Sequence, residues 1–200
     1  MKLSHLTVVT FLVSISAFQF GCNNAEKKIP VSKITTEDTI YLEAGKKLAV
    51  ETQAILAKNL TNAISTGGTE YAVTFCNTQA VTLTDSMAHV LNVGIKRVSD
   101  KPRNPSNLAN EVQSEYIVSS INKLQKGEKP EPIIKESNGK IVGMYPIITN
   151  SMCLQCHGNK ENDISTGTLT KIKTLYPMDK AIGYGINQVR GLWVVEMIKK

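Results

Sequence analysis

The chain has 200 residues, 42% of them hydrophobic and 20% charged, with a formal net charge of +6. That length suits one domain with a real core, and no internal repeat or second domain stands out. The lysines are scattered, with no dense basic stripe interleaved with aromatics, which excludes nucleic acid as an expected partner.

Met1, Lys2 and the apolar run Leu6 to Phe20 have the form of a secretory signal. The run is too short and too rich in Ser and Thr to span a membrane comfortably. It ends at Gly21-Cys22, where a cysteine after a small residue matches a lipoprotein attachment site. Gln19 and Phe20 depart from the usual preference there, and cleavage near Ala17 would leave Cys22 a plain thiol. The expectation is a lipoprotein-type signal over 1–21, a polar tether over 22–36 and a domain over 37–200. The chain is then exported to the periplasm and held through lipidated Cys22 on a membrane, with the outer membrane favoured.

A helix is expected from Thr35 or Thr36 to about Ile64, with Glu37 and Asp38 at its positive end and Gly67-Gly68 as its stop. Thr69 can cap a second helix running to about Leu91. Its stripe of Ala72, Cys76, Ala80, Leu83, Met87 and Leu91 keeps a spacing of three or four and turns Cys76 inward. Lys96 to Asn107 holds two prolines and several turn formers, so it is expected to be an irregular loop. Arg97 and Arg103 in it are either solvated or folded over a bound anionic group. A third helix follows, roughly Glu111 to Leu124. Next, Asn138-Gly139 between two apolar runs signals a hairpin whose second strand continues through Pro146-Ile147-Ile148.

That strand leads into Cys153-Leu154-Gln155-Cys156-His157-Gly158. Two thiols two residues apart, followed at once by an imidazole, form the attachment pattern of haem c. The thiols take up the vinyl groups as thioethers and the histidine reaches the iron. A zinc site would need a fourth ligand, and a redox-active CxxC would need a βαβ setting. Export agrees with haem c, because an oxidising compartment is where it is assembled. With Cys22 assigned to lipid and two cysteines to haem, Cys76 is left over. An unpaired thiol there must be buried, bridged or metal-bound. Thr168 to Leu175 reads as a short helix and Gly191 to Met197 as a final strand. Helices first, then a small antiparallel sheet, is an α+β arrangement.

Four local patterns, in this order, resemble the haem-c-binding, PAS-like sensor domains long classed as a domain of unknown function. They are Cys76-Asn77 with Ala80; Arg97, Ser99, Lys101, Arg103-Asn104-Pro105 and Asn107; the haem motif; and Tyr176-Pro177 with Asp179, Ala181, Gly183-Tyr184 and Arg190-Gly191. Ala109 stands where that family commonly has proline, and no tryptophan follows near Glu111. The resemblance covers 37–200 and implies a PAS-like antiparallel sheet behind long N-terminal helices, with a single haem c. It implies His157 and Cys76 as the axial ligands, with Arg97, Arg103 and Tyr176 around the cofactor.

Other distal ligands compete. His89 points away from the Cys76 stripe, and Met144 and Met152 read as strand and turn residues. Met178 is the serious rival, and a His157/Met178 iron would mark an electron-transfer cytochrome. The haem motif lies near the end of the domain, unlike the ordinary small cytochrome c. Trp193 and Tyr184 read as core and pocket wall, and Asp179 and Arg190 as a candidate ion pair. The expected function is a redox or small-ligand sensor with no catalytic activity; the alternative is a periplasmic electron carrier. Either needs a redox or signalling protein as partner, and the long N-terminal helix can pack on its own core or on a second copy in a homodimer.

Overall fold

The computed structural model describes residues 35–200. The expected signal segment, Cys22 and the tether up to residue 34 lie outside the described residues. The first helix, α1, spans Thr36–Leu91. Thr35 caps it: its hydroxyl accepts from the Asp38 amide at 3.1 Å, and the Asp38 carboxylate accepts from the Thr35 amide at 2.8 Å. Inside α1, Gly67 (φ −148°) and Gly68 (φ 69°, ψ −172°) leave helical geometry, so α1 is two helical segments joined at the expected stop. Thr69 does more than start the second segment. Its hydroxyl meets that of Thr168 at 2.5 Å, tying the break to a later helix.

Asn92, left-handed at φ 52°, ends α1 and turns the chain into β1, Gly94–Val98. This strand corrects the expected loop, which had been placed from Lys96. Ile95 and Val98, both buried, are three residues apart and pack into the clusters on opposite faces of the sheet, so with Lys96 and Arg97 between them no period-two alternation marks the strand. After a short 3₁₀ turn at Pro105–Asn107 comes α2, Glu111–Gln125, capped by Asn110 and Gln113. Strands β2 (Ile133–Ser137) and β3 (Lys140–Ile148) form the expected hairpin. Asn138 and Gly139 both take positive φ, 52° and 72°, as a two-residue turn of this kind requires. Then follow α3 (Ser151–His157), α4 (Thr166–Leu175) and β4 (Val189–Ile198). The haem motif therefore forms a helix of its own, α3, which the sequence reading had not assigned.

The four strands are antiparallel in the order β1-β4-β3-β2, and the fold is α+β as expected. Central β4 is buried on both faces. Leu192 and Val194 point to a cluster with Tyr116 and Ile117 of α2 and Met144 of β3. Trp193, Val195 and Met197 point to the opposite cluster, with Ala49 of α1, Ile95 and Tyr145. Burying each such aliphatic side chain stabilises the fold by about 1.5–3 kcal/mol. The first segment of α1 lies close on this face because Gly45 sits against Tyr145, whose hydroxyl donates to the Leu42 carbonyl at 3.1 Å. A third cluster, Val73, Ile164 and Ile172, joins the second segment of α1 to α4. Among the described residues, no helix is long and apolar enough to cross a membrane.

Candidate functional site

Of the motif residues, Cys156 packs against the third cluster. Asn150 caps α3, its side chain accepting from the Cys153 amide at 3.3 Å, and the helix ends where the Gly158 amide donates to the Leu154 carbonyl at 2.9 Å. One short helix thus holds Cys153, Cys156 and His157 at spacings of three and four, on neighbouring positions of its surface. Both cysteines are free thiols and half-buried. Among the described residues no group of three or more His, Cys, Asp and Glu side chains is placed to hold a metal ion, so the zinc alternative finds no ligand set.

His157 is oriented by the chain that follows α4. Its Nδ1 lies 2.7 Å from the Ala181 carbonyl oxygen. A carbonyl only accepts, so Nδ1 carries the proton and the lone pair sits on Nε2. Burial, with Arg103 and Arg190 nearby, holds the imidazole well below the usual histidine pKa, so it is neutral. The Gly183 and Tyr184 amides donate to the Gly158 and His157 carbonyls at 2.8 and 2.9 Å, fastening the same loop to the end of α3. The Tyr184 ring stands edge-on to the imidazole, 6.4 Å between centroids.

Cys76 lies on the second segment of α1, half-buried beside Ala72, Val73 and Ala80. Burial pushes its thiol pKa up, while Arg97 and then Arg103 pull it down. Burial raises the Cys156 thiol pKa, Arg103 lowers it, and Cys76 and Cys153 raise it by a smaller amount, so these groups share one locale. The structure thus brings Cys76, Cys153, Cys156, His157, Arg97, Arg103 and Tyr176 into one neighbourhood. Arg97, deep in β1, has its guanidinium 5.6 Å from the Trp193 ring centroid. Arg103 stands 5.9 Å from that of Tyr176, whose side chain packs against the third cluster beside Cys156.

Other expectations fare differently. Asp179 does not pair with Arg190; its carboxylate is 3.2 Å from Arg103 Nη2. Arg190 instead donates to the Ser99 hydroxyl at 2.9 Å and the Lys101 carbonyl at 3.2 Å, and lies 5.3 Å from the Tyr184 ring centroid. The reason is position: Arg190 opens β4 beside β1, while Asp179 follows α4. Met178 is 65% exposed, and His89 is exposed. Trp193 and Tyr184 are buried, Trp193 within the core cluster that contains Ala49 and Ile95. The sequence patterns include Ala181 and Arg190 but give neither a role around His157: Ala181 acts through a backbone carbonyl that no residue type announces, and Arg190 was expected only as a partner of Asp179.

Among the described residues, three buried polar atoms have no hydrogen-bond partner: Arg103 Nε, Arg190 Nε and the Tyr184 hydroxyl. All three belong to side chains around His157. Buried donors left unpaired are costly, and two guanidiniums suit an anion. Two thiols, an imidazole lone pair, a further thiol and unpaired cationic donors make a donor set for a metal-bearing, acidic cofactor. A cavity of about 580 Å³ lies elsewhere, lined by Gln53, Leu124, Pro130, Tyr145 and Trp193 among others, and none of the motif residues line it.

The fold has a counterpart among solved structures, the crystal structure of the cyanobacterial heme-protein Tll0287. It is 20% identical, with a TM-score of 0.56, over 79% of this chain and 96% of that one. No curated protein matches the chain significantly. The family model described as Tll0287-like matches residues 29–197, so the chain belongs to the Tll0287-like family.

Proposed function

We propose that the domain is a monohaem c-type cytochrome serving as a redox or small-ligand sensor, with His157 and Cys76 as the axial ligands. The observation that carries this reading is His157: it ends the CxxCH helix, neutral, with its Nδ1 proton directed to Ala181 and its Nε2 lone pair free. That the structural counterpart is a heme-protein supports it. In this reading Cys153 and Cys156 form the thioethers. Arg103, Arg190 and Tyr184, with their unpaired donors, hold the acidic groups, and Arg97 adds positive charge beside Cys76.

The haem supplies one-electron redox chemistry when bound. Cys76, held there as a thiolate ligand, would favour ferric iron and a low reduction potential and would leave no open position for substrate, so no catalysis is expected. A small molecule would bind only in place of Cys76, most readily in the reduced protein, which suits a sensor. The exposure of Met178 counts against His157/Met178 ligation and the electron-carrier alternative built on it. Export, lipidation at Cys22 and a periplasmic redox or signalling partner complete the proposal.

Oxidised and reduced optical spectra of the mature protein beside Cys76→Ala test the ligation. Thiolate bands in the oxidised protein that vanish in the variant are the expected result. Unchanged spectra with a methionine–iron band in the far red would make Cys76 a plain core residue and turn attention back to Met178.

A further inference from the structure

Asp179 and Arg103 lie at the centre of the contacts around His157. Arg103 Nη2 donates to the Cys156 carbonyl at 2.6 Å and pairs with Asp179 Oδ2 at 3.2 Å. The other carboxylate oxygen, Oδ1, accepts from the Ala181 amide at 2.8 Å. Ala181 in turn presents its carbonyl to His157 Nδ1 at 2.7 Å. The Lys180 amide, between them, donates to the Pro102 carbonyl at 3.1 Å, one residue before Arg103. The path therefore runs from the penultimate carbonyl of α3 through Arg103, Asp179 and Ala181 back to the last side chain of α3.

Among the described residues this is the ion pair with both side chains buried, 12% and 6% exposed. The others are at the surface, with no member below 34%. A surface pair contributes little, and a buried one is weak evidence for stability because desolvation offsets its attraction. Here both carboxylate oxygens are engaged, each on a group that leads to the His157 ring. A chain of this kind fixes the tautomer and the ring plane of a metal-ligating histidine and raises its basicity.

We propose that Asp179 and Arg103 are positioning residues for the iron ligand His157, acting through the Ala181 backbone. This rests on the haem c reading above. Asp179 Oδ1 holds the peptide that enters Ala181, which limits the rotation of the next peptide and keeps the Ala181 carbonyl in line with Nδ1, and Arg103 holds Asp179 against α3. The imidazole then donates more strongly from Nε2 than a freely rotating ring would.

The test uses the mature ferric protein with Asp179→Ala and Asp179→Asn. Both remove the charge and weaken the Arg103 pair, but Asn keeps an oxygen where Oδ1 accepts from Ala181. The readout is the exchange rate of the His157 Nδ1 proton by NMR, with the reduction midpoint measured alongside. Asp179→Ala should speed exchange by about fivefold, the factor matching one hydrogen bond of ordinary net worth, and should raise the midpoint. Asp179→Asn should stay within about twofold of wild type in exchange by the same measure and shift the midpoint less. A purely structural pair would lower thermal stability in both variants without that ranking. Equal exchange in wild type and both variants, in protein that carries covalent haem, overturns this inference alone. Wild-type protein that matures without covalent haem overturns the haem reading and this inference together.

Discussion

Cys76 is a thiol pulled in two directions. Burial disfavours its charged form, and Arg97, then Arg103, favour it. Removing a cation leaves desolvation less opposed, so the thiol pKa must rise further. Arg97→Gln keeps much of the side-chain volume and deletes the charge. In haem-free protein with Cys153 and Cys156 changed to Ala, the pH midpoint of Cys76 alkylation should move to higher pH in Arg97→Gln. An unmoved midpoint would mean that Arg97 serves the Trp193 ring alone and does not prepare Cys76 to act as a thiolate. The order of these effects was open to sequence only in part. Helical spacing turned Cys76 inward, but its nearness to two arginines depends on β1 lying beside the second segment of α1, which no local pattern states.

At the scale of elements, the break in α1 is the feature that makes a sheet-packing helix and a site-bearing helix from one run. The first segment covers the sheet through Ala49, while the second contributes Val73 to the third cluster and bears Cys76 three residues further on. Gly68, at φ 69° and ψ −172°, takes a conformation that L side chains rarely adopt. A Cβ there would meet nothing within 4 Å, so any penalty is backbone strain alone. Gly68→Ala should therefore destabilise the protein by about 1–3 kcal/mol in chemical denaturation. A loss within experimental error would show that the two segments can join in another way. This break was legible, as were the Asn138-Gly139 hairpin and the last three helices apart from α3, because glycine and turn residues act locally. Strand β1 was not, since its basic residues are held by pairing with β4 across a long sequence separation. The same limit explains Asp179: sequence nearness to Arg190 suggested that pair, and the folded chain chose Arg103, 76 residues away. α3 was missed because seven residues holding two cysteines and a histidine have little helical periodicity; its capping by Asn150 is the signal that was available.

For the whole molecule, the three clusters divide the labour between fold and site. Two clusters bury the faces of the sheet and contain none of the motif residues. The third includes Cys156 and Tyr176 at its margin, so the sheet has its own core while the site end depends on groups whose protonation matters. His157 is the chief of these. Its folded pKa lies well below the usual value, mainly through burial, then through Arg103 and Arg190. The unfolded chain therefore binds a proton at His157 that the folded chain refuses, and stability rises with pH over that interval. Read downward, the contribution is fully present above the unfolded histidine pKa of about 6.5 and is lost as pH falls toward the depressed folded value. In the haem-free protein, the denaturant midpoint should hold steady on the alkaline side of that value and fall progressively on the acid side. His157→Gln should flatten this part of the profile, since its side chain takes up no proton there. A slope that survives unchanged in His157→Gln would place the acid sensitivity in other groups. If the slope is lost with His157, the same burial and arginines that destabilise the imidazolium are what leave Nε2 unprotonated for a metal, and acid stability and ligand readiness have one cause.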